Sequence, residues 1–150
     1  MKRLAMLQML LERERKRRDE QMAHVRAAVA NVQTQQQQAD GLTGYRSEYC
    51  QKWSAQFRQA APMEIVRSYH GFLARLDQAI AQQQSVVDHA HRMVEAQRQR
   101  LVEREVRVAT VERLIQRREA MLAKAADRRD QKNLDEMAQR LAGARSQAFN

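Results

Sequence analysis

Residues 66–122 read VRSYHGFLARLDQAIAQQQSVVDHAHRMVEAQRQRLVEREVRVATVERLIQRREAML. Every seventh position from Val66 is a branched aliphatic: Val66, Leu73, Ile80, Val87, Val94, Leu101, Val108, Ile115 and Leu122. The series stops at Arg129. A straight helix drifts by about 20° per heptad, so a strict repeat held this long predicts a left-handed supercoil against a partner helix. Three residues after each member lie Tyr69, Leu76, Gln83, Ala90, Gln97, Arg104, Val111, Arg118 and Ala125. That second seam is apolar near Tyr69 and Val111 and polar between, so the pairing has one firm stripe and one weaker companion.

The partner comes from the preceding residues. Leu4, Leu7 and Leu11 form one set at three-four spacing; Met22, Val25, Val29, Val32, Gln36 and Ala39 form another. The step from Arg18 to Met22 shifts the phase and predicts a stutter, which locally unwinds a coiled coil. Residues 12–20, ERERKRRDE, read as a solvated or projecting turn of helix. Gly41 and Gly44 each cost about 1 kcal/mol relative to Ala in a helix. The spacing nevertheless resumes through Leu42, Tyr45, Tyr49 and Trp53, which predicts one helix through both glycines. Pro62 suits the start of a second helix, with Glu64 near its positive dipole end.

Composition agrees. The 150 residues contain four Gly and one Pro, where average usage would give roughly 10 and 7. Few turns are available, and the expected fold is all-α: an antiparallel two-helix coiled-coil hairpin. Its helices span about residues 3–58 and 63–140, with a turn near 59–62 and a frayed tail after about 143. One domain, 1–150, is expected. No run approaches the roughly 18 apolar residues needed to span a bilayer. The basic, apolar start is interrupted by Gln8 and lacks a small-residue cleavage site, so it reads poorly as a signal peptide. The lone Cys50 suits a reducing compartment.

No catalytic pattern emerges. A Gly-rich phosphate loop is missing, and His89 and His91, two apart on a helix, point in different directions and make a poor metal pair. Carboxylates such as Glu103 and Glu105 alternate with arginines, as on a solvated coiled-coil face. The expectation is a non-enzyme with no cofactor and no metal. Six of the seven aromatics fall between residues 45 and 72: Tyr45, Tyr49, Trp53, Phe57, Tyr69 and Phe72. Rings four apart advance about 40° per step around a helix, so Tyr45 and Phe57 point about 120° apart. A two-helix seam does not cover them all, and the patch reads as an aromatic-aliphatic docking surface.

The net charge of +9 is also placed. Residues 1–18 carry seven Lys/Arg against two Glu, and residues 92–118 carry eight Arg against four Glu. In a hairpin both lie toward the end away from the turn. Nucleic acid, an anionic membrane surface or an acidic protein would each fit such charge. Interspersed Glu residues and the lack of stacking aromatics count against specific nucleic-acid binding.

Three motifs carry a resemblance. Tyr45-x-x-Glu48-Tyr49, then Tyr69-x-x-Phe72-x-x-x-Leu76-x-x-Ala79-Ile80, then Asp130-Gln131-Lys132-x-x-Asp135-Glu136-x-Ala138-Gln139-Arg140 resemble the flagellar type III export protein FliJ family over nearly the whole chain. The resemblance implies a hairpin similar to the coiled-coil part of the rotary ATP synthase gamma subunit, and a role in flagellar assembly. Implied partners are the export ATPase hexamer, the cytoplasmic domain of the membrane export gate, and export chaperones. The implied location is cytoplasmic, peripheral at the inner membrane. Carried onto matching positions, the gate-contacting surface comprises Gln38, Leu42, Tyr45, Tyr49, Phe72, Leu76, Ala79 and Gln83. The basic end would seat in the ATPase ring. A basic nucleic-acid-binding coiled coil and a structural oligomerising coiled coil stand as alternatives, as does the virulence-type secretion homologue.

Overall fold

Two long helices make up the protein, seen in a computed structural model that describes residues 2–59 and 61–149. Helix α1 spans Lys2–Phe57 and α2 spans Met63–Ala148, and together they form an antiparallel hairpin. Ala60, within the expected turn at 59–62, lies outside the described residues. At the close of α1 the Arg58 amide donates to the Ser54 carbonyl (3.3 Å) and the Gln59 amide to that of Gln56 (3.1 Å). The Pro62 carbonyl accepts from the amides of Ile65 (3.1 Å) and Val66 (3.3 Å). Proline thus stands at the cap, where its missing N–H removes no helical bond.

Helix α2 runs well beyond residue 140, where the sequence reading ended it. Gly143 keeps a helical backbone and does not take the left-handed conformation of a C-terminal cap. Ala144, Arg145, Ser146, Gln147 and Ala148 then continue the helix. Gly41 and Gly44 likewise lie inside α1, and a Cβ built at either meets nothing within 4 Å. Replacing both by Ala is expected to raise stability by about 1 kcal/mol per site, read as a higher urea midpoint at unchanged slope.

The described residues fall into two compact units. In the unit of residues 18–104, three pairings set the antiparallel register. The Gln21 amide donates to the backbone carbonyl (3.0 Å) and Oε1 (2.7 Å) of Gln97. The Gln83 amide donates to the backbone carbonyl (3.0 Å) and Oε1 (2.9 Å) of Gln35. Arg46 pairs with Asp77. Between these polar layers sit Ala39, Val87, Ala90 and Val94, all buried. Val87, with 1% of its surface exposed, is the tightest point. Full burial of a valine stabilises by about 2 kcal/mol.

The expected stutter is absent. Gln21 is buried at 8% exposure while Met22 is 39% exposed, so Gln21 and not Met22 occupies the seam. The inward positions then run Leu4, Leu7, Leu11, Glu14, Arg18, Gln21 and Val25 in unbroken alternation of three and four. Hydrophobicity hid this phase because polar side chains fill three of its positions. Gln21 is tolerated there because its amide finds two acceptors, and a satisfied buried amide avoids the cost of an orphaned one.

Residues 1–17 and 105–150 compose the other unit. Val108, Val111 and Ile115 form its buried apolar contacts on α2. Arg15 Nη2 reaches Glu112 Oε1 at 3.2 Å, an exposed pair of small energetic weight. Glu14 is buried at 8% exposure, so residues 12–20 are not the wholly solvated segment expected. Glu14 Oε2 and Arg118 Nε are both buried without a hydrogen-bond partner. Residues 119–149 are exposed throughout, including Met121, Leu122, Leu134, Met137 and Leu141. Leu122, the last aliphatic of the heptad series, is only partly covered at 36% exposure, against 62% for Leu134 and 66% for Leu141. Among the described residues, no helix is long and apolar enough to cross a membrane, and no group of three or more His, Cys, Asp or Glu is placed to hold a metal.

Candidate functional site

Six of the seven aromatic residues gather at the turn end of unit 18–104. On α1, steps of four set Tyr45, Tyr49, Trp53 and Phe57 in a row that winds slowly around the helix. Neighbouring ring centroids lie 6.2 Å (Tyr45–Tyr49), 6.1 Å (Tyr49–Trp53) and 5.6 Å (Trp53–Phe57) apart. From α2, Phe72 lies 4.7 Å from Tyr49 and 6.4 Å from Tyr45. Tyr69 stacks on Tyr49 at 5.6 Å and meets Phe57 edge-on at 5.1 Å. Such pairs contribute about 0.5–1.5 kcal/mol each beyond their buried area. The cluster therefore clamps the hairpin end, and it also leaves ring surface in water. Tyr45 is 51% exposed, while Tyr49, Trp53, Phe57, Tyr69 and Phe72 are half-buried.

The residues named from the sequence divide by depth. Gln38 is exposed and Leu42 half-buried beside the rings. Tyr45, Tyr49 and Phe72 come together as a mutual contact. Leu76 is buried, Ala79 is half-buried, and the Gln83 amide is engaged by Gln35. These three line the seam beneath the exposed set.

One feature at the site escaped the sequence. Arg46 and Asp77, 31 residues apart, form a two-pronged ion pair beside the rings: Nε donates to Oδ1, and Nη2 donates to Oδ2 at 3.4 Å. The hydrogen bond and charge of Asp77 hold the Arg46 guanidinium further above its ordinary range. Only the register of the hairpin brings them together. A sequence signal existed in an inward Arg at a heptad position, which demands an acid across the seam.

Tyr69 has its phenol pushed above the ordinary value of 10.0, chiefly by the neighbouring Cys50 thiol and then by burial. The neutral phenol is the favoured form. A tyrosine raised in the folded state contributes stability below the unfolded value and loses it as pH rises through the folded one. The ultraviolet titration difference between wild type and Tyr69→Phe is therefore expected to show a midpoint above pH 10.0. A midpoint at or below that value would contradict the Cys50 contact.

A long antiparallel helical hairpin with a clustered, partly exposed aromatic face beside its turn defines a coiled-coil protein built to present side chains along helices. The model of the flagellar FliJ protein family matches residues 2–147, and the chain belongs to that family. No curated protein and no solved structure matches it. The family carries a role related to flagellar export.

Proposed function

We propose that the protein is a non-enzymatic coupling component of flagellar type III export, joining the export ATPase ring to the cytoplasmic domain of the export gate and escorting export chaperones. It acts in the cytoplasm, peripheral to the inner membrane. The single observation that carries the gate-docking half is the aromatic cluster, whose exposed Tyr45 stands on a scaffold of half-buried rings. Gln38, Leu42, Tyr45, Tyr49 and Phe72 form the contact, and Leu76, Ala79 and Gln83 hold it in shape from beneath. Aromatic side chains on a rigid support suit such a role, since tyrosine and tryptophan dominate interface energetics.

The other half rests on charge. Residues 1–18 and 92–118 are strongly basic, and they supply the segments that seat in the ATPase ring, where ATP chemistry belongs to the partner. The chain behaves as one domain in this role. Titrating the full chain with the purified gate domain in a calorimeter tests the reading. Saturable heat at physiological salt supports it. No heat, together with tight binding of DNA at the same salt, favours the nucleic-acid alternative instead.

A further inference from the structure

Beside the proposed contact surface lies an open cleft of about 280 Å³, lined by Tyr49, Trp53, Glu64, Ile65, Ser68 and Tyr69. Three of its walls are aromatic. Ile65 is an exposed apolar side chain at the mouth. Glu64 supplies the only carboxylate, and no Lys, Arg or His lines the space. In a chain of net charge +9, this is an acid standing among rings without a cation.

The helix ends do not alter that balance. Glu64 sits in the first turn of α2, where the helix dipole is positive, but α1 ends nearby with no basic residue in its last turn. The two half-charges are of opposite sign and largely offset each other. Glu64 is then the one charged side chain lining the cleft, and Tyr69, favoured in its neutral form, adds none. Aromatic faces attract cations through the ring quadrupole within about 6 Å, and more strongly when the site excludes water.

We infer that the cleft receives a Lys or Arg side chain of a protein partner, its cation on the Tyr and Trp rings against Glu64 and a neighbouring apolar side chain on Ile65. This rests on the turn end being a docking surface and adds to it the chemistry of what docks. The planar guanidinium of arginine, able to stack on rings and to meet a carboxylate through two N–H groups, is the better fit of the two.

Trp53 is the only tryptophan in the chain, so its fluorescence reports the cleft directly. The test titrates the full protein with a blocked leucyl-arginyl-leucine peptide and with its citrulline counterpart, equal in shape and uncharged. The arginyl peptide is expected to give a saturable change at least roughly fivefold tighter than the citrulline peptide. Glu64→Gln is expected to bring the two peptides level. Because that change also touches the first turn of α2, Ser68→Arg serves as a second variant. It places a tethered cation in the mouth and is expected to abolish the response with helicity unchanged. Equal affinity for both peptides in the wild type, or no saturable change, overturns the proposal. The docking reading falls on a different result, the absence of gate-domain binding, so the two failures are distinguishable.

Discussion

Replacing Tyr45, Tyr49 and Phe72 together by Ala is expected to weaken binding of the gate domain by about 100-fold or more. Central aromatic anchors each cost about 2 kcal/mol or more when truncated, and about 1.4 kcal/mol is a tenfold change in affinity. The three rings touch one another, so their losses are not additive and the total falls short of a simple multiple. Tyr45→Ala alone is the cleaner variant. Its ring is 51% exposed, so the hairpin loses little support when it goes. It is expected to weaken binding about tenfold with the far-ultraviolet circular dichroism spectrum unchanged and the melting temperature lowered only modestly, by the loss of its two ring contacts. Calorimetry on the folded variants checks both figures. Wild-type affinity in the triple variant would remove the aromatic face from the docking surface.

The second large effect is on stability. Val87→Asp is expected to destabilise the protein by about 4 kcal/mol or more, because it puts an unpaired carboxylate where the side chain is almost wholly enclosed. Domains of this kind are stable by only about 5–15 kcal/mol, so much of the folding free energy is removed. The adjacent Val86 is exposed, and Val86→Asp is expected to change stability by less than about 1 kcal/mol. The contrast between neighbours is the informative measurement, made by urea unfolding at 222 nm. Equal losses at the two positions would contradict the assigned phase of α2.

How far each helix could be read in advance depended on what filled its inward positions. In α2 the first seam is aliphatic from Val66 to Leu122, and the buried and half-buried residues follow it up to Ile115. At Leu122 the pattern persists but the cover thins, since a heptad records a preference for burial and not the length of its partner. In α1, Glu14, Arg18 and Gln21 occupy seam positions, and an apolar neighbour, Met22, misled the phase. In α2 the aliphatic phase placed Gln83 and Gln97 on the seam, but Gln21 in α1 becomes legible only once its acceptors on Gln97 are known. The aromatic cluster was legible because rings four apart cannot all enter one seam. The Arg46–Asp77 pair and the Glu64 cleft were not, since both need the register across the turn.

The uncovered stretch of α2 has a kinetic consequence. From residue 119 onward every described residue is exposed, Leu122 least among the large apolar ones, and toward Ala148 the backbone bonds rest increasingly on propensity. Isolated helices are marginal in water, and opening proceeds from the free end inward. Amide exchange along this one helix should therefore form a gradient, fast near Ala148 and slowing to the rate of global unfolding around Val87. A single continuous helix would then hold two lifetimes: a distal part that dissolves and reforms many times between the rare openings of the proximal part, which come only with the whole fold.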